Sequence, residues 1–211
     1  MKTVLLTGFE PFGDYKHNPT QDLVNYISNK EPRISQSFIY GIVLPCTYKG
    51  AFEILSKEID RIKPDAIIST GLSSSVGGVR IETVFRNMMY SKYADADGFI
   101  PNSLKIREDW PMVNQVHPNS DSHFLAKLLS KINIPVELSQ NANTFICNSL
   151  GFLTSAKIQQ EHLPIKNMFI HIPWTSDYQD IIDLESDKVF IEKPQVYDAI
   201  WELADCIFDT K

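Results

Sequence analysis

No apolar run in these 211 residues approaches the roughly 18 to 20 needed to span a bilayer, so a membrane-crossing helix is not expected. Cysteine is scarce. Cys46, Cys147 and Cys206 are widely spaced and form no CxxC pair, which argues against a disulfide framework and a cysteine-based zinc site. No H-x-x-x-H pair occurs, so helix-borne zinc is excluded and no metal or other cofactor is expected. An excess of basic charge is missing too. With 26 acidic against 20 basic side chains and a net charge of −6, neither nucleic acid nor an anionic membrane is the expected partner. The opening Met1-Lys2-Thr3-Val4-Leu5-Leu6-Thr7-Gly8 turns polar too early for a signal peptide, and unpaired thiols suit a reducing cytoplasm. Repeats, low-complexity tracts and Pro/Gly/Ser linkers are absent as well, so one domain over residues 1–211 is the expectation.

What is present is alternation. Short β-rich apolar runs stand at Val4–Leu6, Phe38–Leu44, Ala66–Ile68, Ile134–Leu138 and Met168–Ile172. Between and after them, apolar residues recur three or four apart: Leu23, Val24 and Ile27 behind an Asn18-Pro19 start; Phe52, Leu55, Ile59 and Ile62; Phe124 to Ile132; a stretch from about Thr144; and Val196 to Ile207. This order predicts a three-layer α/β/α sandwich around a largely parallel, twisted sheet. Ligands collect at the carboxyl ends of such strands, which directs attention to the loops Gly8–Asn18, Gly71–Glu82, Gln140–Cys147 and His171–Thr175.

Several motifs in those loops fail. Gly8 to Gly13 has the spacing of a phosphate loop, but Asp14-Tyr15 follows where Lys and Ser/Thr belong. Asp95-Ala96-Asp97-Gly98 hints at a calcium loop, yet Tyr93 and Leu104 occupy the first and twelfth ligand positions, which leaves a polar turn. Gly71-Leu72-Ser73-Ser74-Ser75 misses G-x-S-x-G by its last residue, and a serine hydrolase using Ser73 and His171 stays open. His17, His117, His123 and His162 lie in polar stretches and read as solvated or capping imidazoles.

Two residues stand apart. His171 ends a hydrophobic strand, at the usual edge of a site. Cys147 falls in what Asn143 or Thr144 would cap as the first turn of a helix, where the dipole and unpaired N–H groups favour thiolate. A buried structural thiol and an activated nucleophile are both compatible with that position. Phe9 and Phe12 are open in the same way, as loop filler or as walls of an apolar slot.

Read together, the segments resemble the pyrrolidone-carboxylate peptidase family (pyroglutamyl peptidase type I). The resemblance rests on Thr7-Gly8-Phe9-Glu10-Pro11-Phe12-Gly13 with Asn18-Pro19-Thr20, on Lys63-Pro64-Asp65 with Gly71-Leu72, and on Glu82-Thr83-Val84-Phe85-Arg86-Asn87. It is completed by Thr144-Phe145-Ile146-Cys147-Asn148 and Phe169-Ile170-His171-Ile172-Pro173. The resemblance implies a cysteine peptidase with a Glu82–Cys147–His171 triad, an acyl-enzyme and a peptide substrate whose N-terminus is blocked as a five-membered lactam. By family position, Phe9 and Phe12 would sandwich the lactam, with Cys46, Tyr93, Phe145 and Ile146 lining the pocket and Leu72 offering backbone contacts. It further implies a homo-oligomer, dimer or tetramer.

The chain departs from the family pattern at named places. Asn143 stands where glycine is usual, Thr83 and Val76 replace arginines, Lys92 replaces another, and Tyr93 replaces an aliphatic residue. These changes bear on specificity and turnover, and Asn143 is bulky enough to narrow the pocket or disturb its turn. Two alternatives stand beside the peptidase: an amide hydrolase of the same fold with a shifted substrate, and a non-catalytic binding descendant.

Overall fold

The computed structural model describes residues 1–28, 37–74, 77–182 and 190–209; Ser75 and Val76 lie outside them. The chain opens with β1 (Lys2–Phe9), α1 (Pro19–Ser28), β2 (Ser37–Leu44), α2 (Gly50–Ile62) and β3 (Ala66–Leu72). Then come β4 (Val79–Glu82), β5 (Phe85–Arg86), β6 (Gln115–Val116), α3 (Ser122–Lys131) and β7 (Val136–Ser139). The last elements are α4 (Ile146–Gln160), β8 (Lys166–Ile172), β9 (Trp174–Thr175), β10 (Phe190–Ile191) and α5 (Lys193–Cys206).

Six strands form the main sheet in the order β2-β1-β3-β8-β4-β7. β2, β1, β3 and β8 run parallel, β4 lies antiparallel to β8, and β7 runs parallel to β4. The largely parallel sheet expected from the alternation is borne out, with a single antiparallel step between β8 and β4. Val79–Glu82, which the sequence pattern assigned to a loop, is the strand that reverses direction. Its polar Arg80 and Glu82 hide a β pattern that only Val79 and Ile81 carry, and both of these are fully buried.

Side chains alternate across a strand, so each strand sorts its residues between two cores. Val4, Leu6, Ala66, Ile68, Ile81, Met168, Ile170 and Ile172 face α1, α3 and α5. Leu5, Ile67 and Phe169 face the other way, against Ala51, Leu55 and Ile59 of α2 and Ile146, Leu150 and Phe152 of α4. Each large aliphatic side chain so buried contributes about 1.5 to 3 kcal/mol. α1 begins as its sequence predicts: Pro19 fits the first helical position, and Asn18 Oδ1 accepts from the Thr20 N–H at 3.0 Å. α4 approaches β5 so closely that a Cβ on Gly151 would sit 2.3 Å from the Phe85 ring. No helix of the described residues is long and apolar enough to cross a membrane.

Candidate active site

The two-residue period of β8 puts His171 on the same face as Phe169, the face covered by α4. The same parity brings Glu82 of β4 and Gly71 of β3 to that face. His171 is 4% exposed, and its Nδ1 lies 2.8 Å from Glu82 Oε1. A carboxylate can only accept, so Nδ1 carries the hydrogen and Nε2 is left to act as a base. Glu82 is fully buried, and its Oε2 has no hydrogen-bond partner among the described residues.

Gly71 pairs with His171 in the parallel β3·β8 register. A Cβ built on it would lie 2.8 Å from Cys147 Sγ, 3.0 Å from His171 Cδ2 and 3.2 Å from His171 Nε2. The sulfur and the basic nitrogen thus share the space that a side chain at position 71 would fill. Cys147 sits in the first turn of α4, which starts at Ile146 after Phe145 as N-cap. No side chain caps this helix. Thr144, expected as a cap, instead donates its hydroxyl to Tyr90 O at 2.8 Å. First-turn N–H groups are therefore not claimed by a capping oxygen.

Burial pushes the Cys147 thiol up, the nearby Cys46 sulfur and Glu82 carboxylate add to the effect, and only a backbone N–H works against them. Cys46 behaves alike: burial, then Asp95 and Glu10, raise its thiol to about 12.

Beside the sulfur is a small cleft of about 40 Å³ lined by Phe9, Phe12, Asn18, Cys46, Leu72, Phe145, Ile146 and Cys147. Phe12 and Phe145 have ring centroids 6.3 Å apart, and Tyr48 braces Phe145 edge-on at 5.5 Å. Six of the seven expected lining residues meet here. Tyr93 does not. It is 79% exposed, in a turn where its N–H bonds Ser91 Oγ, and its side chain is not among those lining the cleft.

Asn143 adopts φ 61°, the left-handed conformation that glycine enters freely and asparagine tolerates best among other residues. Its side chain is exposed and does not line the cleft, so it neither narrows the pocket nor breaks the turn. The calcium-like turn is knit by Asp95, whose carboxylate accepts from the N–H groups of Tyr48, Asp97 and Phe99 at 2.9 to 3.0 Å.

Residue-by-residue reading missed Asn18 as a cleft wall and Gly71 as the gap between sulfur and imidazole. Both stand inside quoted motifs, but neither has a reactive side chain to draw notice.

Comparison with known proteins shows the family and the fold. The family profile described as Pyroglutamyl peptidase matches residues 2–189. The pyrrolidone-carboxylate peptidase of Thermococcus litoralis is 35% identical over 177 residues, covering 84% of this chain and 79% of that protein. One from Bacillus cereus is 30% identical over 174 residues, covering 82% and 79%. Among solved structures, the pyrrolidone carboxyl peptidase of T. litoralis superposes with a TM-score of 0.89 at 31% identity, over 99% of this chain and 94% of that one. Pyroglutamyl peptidase I of Bacillus amyloliquefaciens superposes with a TM-score of 0.87 at 25% identity, over 97% and 95%.

Proposed function

Since this chain belongs to the pyroglutamyl peptidase family of cysteine peptidases, we propose that Cys147, His171 and Glu82 carry the release of N-terminal pyroglutamate from peptides. The observation that supports the assignment is the shared space at Gly71, where Cys147 Sγ and His171 Nε2 are both within 3.2 Å of one point.

With Cys147 Sγ and His171 Nε2 sharing one small space, ionisation and attack go together. As Sγ bonds to the acyl carbon of the pyroglutamyl residue, its proton passes to His171 Nε2. The imidazolium that forms is stabilised by Glu82 through the 2.8 Å bond to Nδ1. Negative charge on the tetrahedral oxygen is met by first-turn N–H groups of α4. His171 then protonates the leaving amine, and a thioester remains. A water, deprotonated by the same nitrogen, attacks the thioester; pyroglutamate leaves and the thiol is regenerated.

Specificity follows from the cleft. Phe9, Phe12, Phe145 and Ile146 offer aromatic and aliphatic walls to a flat, uncharged lactam. An ordinary N-terminal ammonium would lose its water there with no carboxylate among the described lining residues to replace it. Unpaired thiols suit the cytoplasm as the working compartment. Self-association as a dimer or tetramer is part of the same reading, and exposed Tyr93, Ile100 and Val113 supply apolar surface for it.

The test is release of a chromophore from a pyroglutamyl amide, with the matching prolyl amide and the Cys147→Ala variant as controls. Cleavage of the lactam substrate alone, lost in the variant, is expected. An uncut pyroglutamyl amide, or full activity in Cys147→Ala, would overturn the reading.

A further inference from the structure

Arg86 stands four residues beyond Glu82, on the two-residue strand β5, and the proposed chemistry gives it no task. Its contacts bracket the nucleophile. The guanidinium donates from Nη1 to Asn141 Oδ1 at 2.9 Å and from Nη2 to Gln140 O at 3.1 Å. Its backbone N–H donates to Asn148 Oδ1 at 2.9 Å, and its carbonyl accepts from Asn148 Nδ2 at 2.9 Å. Asn148 is fully buried and directly follows Cys147; its Nδ2 also donates to Met88 O at 3.0 Å. One residue therefore holds the loop that enters α4 by its side chain, and the helix turn bearing Cys147 by its main chain.

Between those grips the loop bends through left-handed Asn143. Its base is fixed by Thr83, whose N–H and hydroxyl both donate to Ser139 O at 2.7 Å. Its far end is fixed by Thr144, which exchanges two hydrogen bonds with Tyr90. Residues 140 and 141 lie between these anchors, and among the described residues Asn141 N–H bonds only back to Ser139 Oγ within the loop itself. The guanidinium is what ties this span to a neighbouring strand. Thr83 secures the base of the loop, and the planar fork that grips its middle comes from β5.

We propose that Arg86 is a positioning residue for the hydrolysis. By clamping residues 140 and 141 to β5, it sets the angle at which the first turn of α4 presents Cys147 Sγ and its N–H groups to the acyl carbon. The inference rests on the proposed function for its turnover readout, and on Cys147–His171 geometry alone for its second readout. A small rotation of that turn leaves the lactam cleft in place and misaligns the attack, so kcat suffers and KM does not.

The experiment compares Arg86→Ala, Arg86→Lys and unmodified protein by kcat and KM on the pyroglutamyl amide. It also compares the rate of Cys147 alkylation by iodoacetamide and thermal stability, each with and without added methylguanidinium. Displacement of a reacting atom by about 1 Å costs up to ~100-fold, so Arg86→Ala should lower kcat about 10- to 100-fold with KM within about twofold. Alkylation should slow in parallel, and Arg86→Lys and methylguanidinium should each restore part of both rates. A kcat within twofold of the unmodified protein would overturn the proposal. So would losses that track unfolding and ignore methylguanidinium. Should the unmodified protein leave the amide uncut, the proposed function fails, and the alkylation rates decide on Arg86: equal rates in Arg86→Ala and unmodified protein refute the clamp.

Discussion

Glu82 and His171 meet diagonally across an antiparallel strand pair: Glu82 lies opposite Phe169, Arg80 lies opposite His171, and the carboxylate reaches across to Nδ1 at 2.8 Å. Diagonal neighbours on one face of a sheet are far enough apart that only a long side chain bridges them. Glutamate supplies that reach where aspartate would fall short. The arrangement also leaves Oε2 buried without a partner among the described residues, a cost that a purely structural residue would be expected to avoid.

Glu82→Gln tests this directly. The amide oxygen can still accept from Nδ1, but the charge that stabilises the imidazolium is gone. Turnover should fall about 10²- to 10⁴-fold with KM nearly constant. Removing a buried, half-satisfied charge should leave thermal stability unchanged or raised. Initial rates and a melting curve on the same preparation check both; turnover within twofold would show that the carboxylate is not needed.

Gly71→Ala probes the gap between sulfur and imidazole. No positive φ is involved, so the effect is steric: the new methyl would stand 2.8 Å from Sγ and 3.0 Å from the ring. Overpacking of this kind costs about 1 to 3 kcal/mol, read by urea denaturation. Activity should drop at least ~100-fold, because the two reacting atoms are driven apart. Unchanged activity would mean that the pair works at a wider separation than the one seen.

Asn143 separates backbone tolerance from pocket shape. Asn143→Gly should keep both stability and KM, since the turn already has the conformation glycine prefers. Asn143→Val should lose about 1 to 2 kcal/mol, because a β-branched residue is strained at φ 61°. Denaturation midpoints measure the difference. Equal stabilities for the three proteins would contradict the left-handed turn.

The buried thiol of Cys46 should make stability fall in alkali. Its folded pKa is raised to about 12, whereas an unfolded cysteine titrates near ~8.5. Above the lower value the unfolded chain gives up its proton first, binds fewer protons than the native state, and is stabilised relative to it. The loss begins near pH 8.5 and deepens until about pH 12 is passed. Melting temperatures from pH 7 upward should therefore decline less steeply in Cys46→Val than in the unmodified protein. Parallel declines would show that Cys46 contributes nothing to the slope.

Much of the fold was legible because its signals are local. Val4–Leu6, Ala66–Ile68 and Met168–Ile172 are short apolar runs between helical periods, and each became a buried parallel strand. Val79–Glu82 was not legible, since a four-residue strand with two polar members takes its character from β8 and β7 on either side. Among site residues, Cys147 and His171 announced themselves by chemistry and by position at element ends. Asn148 and Asn87 could be quoted as motif residues but not explained. In the structure they are hydrogen-bond hubs, Asn87 donating to the carbonyls of Arg107, Trp110 and Pro111, and those partners lie some twenty residues away. Tyr93 was misplaced because a position in a motif fixes where the chain passes, not which way a new side chain turns.

The amino-acid order alone determined the layered α/β plan, the reactive residue types and the family, because periodicity, capping and motif spacing are written into neighbouring residues. Only the tertiary structure decided that β4 reverses, that strand parity gathers Gly71, Glu82 and His171 on the α4 face, and that burial pushes the Cys147 thiol up. These outcomes depend on which strands become neighbours and on how much water their packing expels, and both are properties of the assembled chain.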